Sequence, residues 1–297
     1  MTYRVDRVPV AGGDLTVGVW GDSGPLVVAA HGITASHLSW GLVAALLAAG
    51  HRFVAPDLRG RGRSRDLPEP YGMAAHAADL ARVIEAYGGG PVVLVGHSMG
   101  GFVVAETARR HPDLAGRLVL VDGGAPLPLP PGLDVSAGQE AIAEAISTAL
   151  GPAYARLSMT FPSREAYREM WRAHPSFSAW NDAITAYLDY DLVGEEPELR
   201  PACRLEAALR DARDLYAYPG DEPAALPVPA VFLRAERGMF NEPDQPLYPA
   251  GYAGRWLPGI AEETVPDTNH YTITLGPAGA EAVAGAVAAA VAAVARA

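Results

Sequence analysis

Short, unbroken apolar runs recur along this chain, separated by stretches of helical periodicity. Leu26–Ala30 (LVVAA) is the first, and the pattern returns at Arg52–Ala55, Val92–Val95, Leu118–Val121 and Val231–Leu233. A brief continuous apolar run bounded by turn residues reads as a strand buried on both faces. Between these runs lie helical patterns at Trp40–Ala49, Met73–Tyr87 and Gly100–Arg110. Strand–helix–strand alternation predicts the α/β class, with a mostly parallel sheet covered by helices on both sides. Ahead of it, Tyr3 to Val19 holds two alternating stretches around Gly12-Gly13-Asp14, which predict an antiparallel hairpin.

The alternation stops after Val121. From Leu127 to Leu226 the pattern becomes helical segments joined by Pro- and Gly-rich turns, with helices expected at Ala137–Leu150, Arg164–His174, Ala179–Leu188 and Arg204–Tyr216. Strands resume at Pro229. The expected organisation is therefore a core of residues 1–126 and 227–297 carrying a helical cap, 127–226. Such a cap would cover the sheet's carboxyl edge, where open α/β sheets bind ligands. Near the end, Val283, Val287, Val291 and Val294 form one stripe of an Ala-rich helix, the mark of an amphipathic element rather than a membrane span.

Composition narrows the function. The 297 residues are 49% hydrophobic and 19% charged, which is globular. A net charge of −11 argues against nucleic acid and against an anionic membrane as partners. All 23 basic residues are Arg, so lysine chemistry is absent. Cys203 is the only cysteine, which excludes an internal disulfide and reads as a packed small hydrophobe. His and Cys do not cluster at zinc-site spacing. With no apolar signal region at Met1–Asp6, a cytoplasmic protein without metal or cofactor is expected; composition leaves the oligomeric state open.

The strongest chemical signal is Gly96-His97-Ser98-Met99-Gly100, followed by Gly101. It sits after an apolar strand and before a helical pattern, the context a G-x-S-x-G nucleophile elbow requires. Small neighbours permit a sharp turn that presents the Ser98 hydroxyl at a helix N-terminus, where free N–H groups favour negative charge. Acyl transfer also needs N–H donors aimed at the developing oxyanion. Met99, just after the nucleophile, is one expected donor. Ile33 in Ala30-His31-Gly32-Ile33 is the other, with His31 reading as a residue that fixes this loop.

Together, His31-Gly32, Asp57-Leu58-Arg59-Gly60-Arg61-Gly62-Arg63-Ser64 and the elbow resemble the α/β-hydrolase superfamily, in its serine-nucleophile branch with a helical cap. The resemblance implies an eight-stranded sheet, and a structural role for the Asp57–Ser64 loop. It also implies a late catalytic histidine, which His270 in Val265-Pro266-Asp267-Thr268-Asn269-His270 matches. At the family's usual position for the acid, after the strand Ala230-Val231-Phe232-Leu233, this chain has Gly238. Two sources remain for the carboxylate that orients His270. One is Asp122, at the end of the preceding strand. The other is the remodelled loop with Glu236, Glu242 and Asp244.

A serine at the elbow favours acyl chemistry over the carboxylate attack of related dehalogenases and epoxide hydrolases. Eight of the chain's 23 aromatic residues fall between Tyr154 and Tyr190. Phe161, Trp171, Trp180 and Tyr187 are therefore candidates for lining an apolar pocket over Ser98, although any one of them could instead serve the cap's own core. A small apolar ester or lactone is the expected substrate. Carbon–carbon bond hydrolysis, thioesterase or cyclase chemistry, and a non-catalytic receptor on the same fold are the alternatives.

Overall fold

A computed structural model describes residues 2–129, 154–216 and 225–296. The expected helix at Ala137–Leu150 lies outside them. Strands β1 (Tyr3–Val10) and β2 (Gly13–Trp20) form the antiparallel hairpin. Then come β3 (Leu26–Ala30), α1 (Gly41–Leu47), β4 (Arg52–Pro56), α2 (Met73–Ala86), β5 (Val92–His97), α3 (Met99–Arg110) and β6 (Ala115–Val121). An inserted segment holds α4 (Arg164–Arg172), α5 (Asp182–Tyr190), the short strands β7 (Leu192–Val193) and β8 (Arg200–Pro201), and α6 (Leu205–Asp214). The core resumes with β9 (Ala230–Ala235), α7 (Tyr252–Trp256), β10 (Ala261–Val265), α8 (Thr272–Leu275) and α9 (Pro277–Val294).

Eight strands pair in the order β1-β2-β4-β3-β5-β6-β9-β10, antiparallel at the hairpin end and parallel from β4 onward. Because side chains alternate along a strand, each apolar run feeds two cores. Val28, Ala30, Leu94, Leu118 and Phe232 face α2 and α3 through Leu80, Ile84, Val103 and Val104. Val27, Ala29, Val93, Val119 and Leu233 face α1 and α9 through Val43, Leu47, Val283 and Val287. Burial on both sides is why these strands lack polar alternation. By length and composition α9 could cross a membrane; here its valine stripe is packed on the sheet.

Differences from expectation have local causes. Helix α5 begins at Asp182 rather than Ala179 because the Asn181 side chain accepts from Ile184 N–H at 2.9 Å and caps it there. Strand β10 gave no sequence signal: in Ala261–Val265 only Val265 is buried, since the strand forms a sheet edge with Glu263 turned to solvent. The β7–β8 pair is too short to show a period.

The inserted segment is fastened to the core through the Asp57–Ser64 loop. Asp57 accepts from His37 N–H (2.9 Å), Arg63 N–H (2.8 Å) and the Tyr190 hydroxyl of α5 (2.6 Å), and lies 2.7 Å from His37 Nδ1. Arg61 is buried and pairs with Asp211 of α6 at 2.6 Å. Arg59 grips Asp79 of α2 through Nε (2.7 Å) and Nη2 (2.8 Å). A fully buried guanidinium persists only when paired in this way, so the motif's arginines join three layers.

Candidate active site

Ser98 stands between β5 and α3 with φ 54° and ψ −123°, a conformation L-residues seldom adopt. Close backbone approach holds it there. A Cβ on Gly100 would lie 1.9 Å from the Ala30 carbonyl oxygen, and one on Gly123 would lie 2.1 Å from that of Ser98. Only glycine permits α3 to start this close to β3. Ser98 N–H donates to the Val121 carbonyl at 2.9 Å, tying the elbow to β6.

Asp122 follows directly on β6 and is buried, with φ 44°. Its two carboxylate oxygens are both engaged. Oδ1 accepts from Ala235 N–H at 3.1 Å, and Oδ2 lies 2.7 Å from His270 Nδ1. The other ring nitrogen, Nε2, lies 3.0 Å from Ser98 Oγ. An ionised carboxylate can only accept, so Nδ1 carries the proton and Nε2 is left free to accept from the serine hydroxyl.

Two of the three loop acids, Glu236 and Glu242, are occupied elsewhere, and Asp244 makes no contact with His270 among the described residues. Glu236 accepts from Asp267 N–H at 2.7 Å, and Glu242 folds back onto Phe240 N–H at 3.0 Å. Gly238 closes a tight turn with Glu242 (2.8 Å), in which a Cβ would sit 2.3 Å from the Glu242 carboxylate. Among the described residues Asp122 is the carboxylate that reaches His270.

Two positioning residues escaped the sequence reading. His97 Nε2 donates to the His270 carbonyl at 2.8 Å, with ring centroids 4.7 Å apart. Burial, then the nearby His270, pushes His97 well below the usual imidazole range, so it is neutral at working pH. Asn269 accepts from the N–H groups of Tyr271 and Thr272, both at 2.9 Å, and donates to the Ser176 carbonyl at 2.9 Å. Its place just before a helical turn was the available signal, as a capping residue type.

Met99 is the first residue of α3, so its N–H has no intrahelical acceptor. Gly32 lies against Ser98: a Cβ there would be 3.3 Å from Ser98 Cβ. The carbonyl of the Gly32–Ile33 peptide accepts from Ala35 N–H (3.1 Å) and from His31 Nδ1–H (2.8 Å). Since a trans peptide points its N–H opposite to its carbonyl, these bonds fix the direction of the Ile33 N–H. His31 Nε2 in turn accepts from Leu58 N–H at 3.0 Å.

Burial pushes His31 down to about 3, against a partial upward pull from Asp57. The unfolded chain binds a proton at this residue below the ordinary value near 6.5, whereas the folded chain refuses it down to about 3. Folding stability linked to His31 is thus complete above pH 6.5 and is lost as pH falls, at up to ~1.4 kcal/mol per pH unit. Urea midpoints at pH 6, 5 and 4 are expected to drop less steeply in His31→Gln than in the wild type. Parallel acid limbs would contradict this assignment.

The candidate aromatics fall into one cluster with Ile184, Leu188, Leu199 and Leu275. The Trp171 ring lies 5.9 Å from that of Tyr271, the residue after His270. Tyr187 is buried in the same cluster. Phe161 packs edge-on against Tyr167 at 4.7 Å, and Trp180 bonds to Thr185 of α5 at 2.8 Å with Arg172 over its face. Those last two are held by the inserted segment's own residues.

Comparison with known proteins gives the same architecture. A family model described as the alpha/beta hydrolase fold matches residues 25–277. Lipase LipV of Mycobacterium tuberculosis is 41% identical over 110 residues, which is 37% of this chain and 41% of that protein. N-formylmaleamate deformylase of Pseudomonas putida is 41% identical over 107 residues, 35% of this chain and 39% of that protein. The alignments thus span well under half the length of these curated relatives. Among solved structures, E-2-(acetamidomethylene)succinate hydrolase superposes with a TM-score of 0.74 at 23% identity, over 97% of this chain and 98% of that one.

Proposed function

This chain belongs to the α/β-hydrolase fold family, and on that premise we propose that it is a serine hydrolase cleaving a small carboxylic ester or lactone through an acyl-enzyme. The observation that carries the reading is the unbroken relay from Asp122 Oδ2 to His270 Nδ1 (2.7 Å) and from His270 Nε2 to Ser98 Oγ (3.0 Å). Distances of this size allow proton transfer without rearrangement.

In the proposed reaction Ser98 Oγ attacks the acyl carbon as His270 Nε2 takes its proton. The oxyanion forms against the N–H groups of Met99 and Ile33, which are fixed in place before the substrate arrives. Asp122 stabilises the imidazolium through Nδ1–H. The tetrahedral intermediate then expels the leaving group, which receives the proton from His270. Water, activated by the same nitrogen, attacks the acyl-enzyme and releases the acid, restoring Ser98. The apolar surface of Trp171 and Tyr271 beside His270 supports a substrate with an apolar body.

A fluorophosphonate probe is expected to label the folded protein once, with the adduct on the peptide containing Ser98. A folded sample that stays unlabelled would favour a non-catalytic receptor on this scaffold.

A further inference from the structure

Within the inserted segment, Arg156 carries a cation that the reaction above does not use. Its side chain is only 11% exposed, and a guanidinium stays charged at every working pH. Nη1 donates to Asp191 Oδ2 at 2.8 Å and also to the Tyr167 hydroxyl, which itself donates to Asp191. Nε and Nη2 meet no acceptor among the described residues. Both atoms nevertheless keep some accessible surface. Elsewhere the same protein shows what fits such an edge. Arg59 binds Asp79 through Nε and Nη2 at 2.7 and 2.8 Å, and Arg168 binds Asp189 the same way at 2.8 and 2.5 Å. In both cases the occupant is a carboxylate, whose two oxygens match the planar fork.

The position of this free edge relates it to the triad. Arg156 Cζ lies 5.2 Å from the Trp171 ring centroid, and that ring is 5.9 Å from Tyr271, next to His270. The charge of Arg156 is also felt at Cys203, whose thiol lies 3.7 Å from the Ile33 carbonyl. It acts likewise on Tyr187 and Tyr271. The hydroxyls of those two tyrosines also lack partners among the described residues and are not sealed off. A largely buried cation with two unbonded nitrogens therefore stacks on Trp171, one aromatic ring removed from Tyr271 and His270.

We propose that the Nε–Nη2 edge of Arg156 anchors a carboxylate at the non-reacting end of the substrate, while Ser98 attacks the acyl group at the other. This rests on the serine-hydrolase reading and narrows its substrate class to esters with an apolar body and one terminal carboxylate. Asp191 occupies the far Nη1 corner, and the Tyr167 hydroxyl shares its charge, so the open edge remains the attractive one for an anion.

Two matched substrates test this: the mono-p-nitrophenyl ester of glutaric acid, and its analogue with the free carboxylate methylated. Wild-type protein is expected to favour the free acid by about 10- to 100-fold in kcat/KM, carried mainly by KM, the range for charge-assisted hydrogen bonds. Arg156→Lys keeps a cation for Asp191 but loses the fork. It is expected to abolish most of that preference, so that kcat/KM falls about 10-fold or more further on the free acid than on the methylated ester. Equal turnover of the two esters by wild type overturns the anchor, as does turnover of neither by a chain that fluorophosphonate labels at Ser98. An equal loss on both esters in Arg156→Lys assigns the residue to structure alone. Absence of Ser98 labelling sinks the nucleophile itself, a separate failure.

Discussion

Ser98→Ala is expected to lower kcat for ester hydrolysis by on the order of 10⁴- to 10⁶-fold, with a melting temperature close to that of the wild type. The size of the effect follows from chemistry rather than packing. In the proposed mechanism, removing Oγ deletes the atom that forms the covalent bond, and His270 Nε2 then has no hydroxyl to deprotonate. Background hydrolysis through the oxyanion donors and substrate binding is all that remains. The fold should tolerate the change because Ser98 is only partly buried and its backbone bonds to Val121 and Gly101 do not involve the side chain. Its positive φ strains alanine and serine alike. Matched thermal melts with more than about 1% residual turnover would remove Ser98 from the mechanism.

How much of this could be read from the chain alone depends on where each signal resides. Strands β3, β5, β6 and β9 announce themselves because both of their faces are covered, which forces an unbroken apolar run. The elbow is legible because its geometry excludes side chains at fixed positions, and Gly96 and Gly100 mark them. Strand β10 is silent because it lies at the edge with one residue buried. His97 acts through the backbone of a residue 173 positions away, a role no residue pattern encodes, whereas Asn269 is marked only as a capping residue type before a helical turn. Arg156 is similarly hidden: its meaning comes from which nitrogens Asp191 and Tyr167 leave unused, 35 and 11 positions along the chain. The loop around Gly238 showed only that an acid was missing. Which carboxylate replaced it depends on how the β6–β9 register sets Asp122 beside Ala235.

That register makes Asp122→Asn the most informative conservative change. The Ala235 N–H still requires an acceptor at the position of Oδ1, so the amide oxygen is drawn there and the amide nitrogen is turned to His270. An amide N–H facing Nδ1 needs a lone pair on that atom, and the imidazole proton moves to Nε2. Nε2–H cannot accept from Ser98, so turnover at neutral pH is expected to fall by on the order of 10³- to 10⁴-fold while the heavy-atom geometry persists. Glu236→Gln and Glu242→Gln alter side chains that accept from Asp267 N–H and Phe240 N–H, contacts that a glutamine oxygen can still make. Their kcat/KM values are expected to stay within about 3-fold of wild type, since surface changes of this kind are worth a few tenths of a kcal/mol. The comparison is decisive because the three variants make the same chemical change, carboxylate to amide, at one site touching the imidazole and two that do not. Near-native turnover in Asp122→Asn, with collapse in Glu242→Gln, would transfer the orienting role to the loop and require His270 to sit differently from the arrangement described.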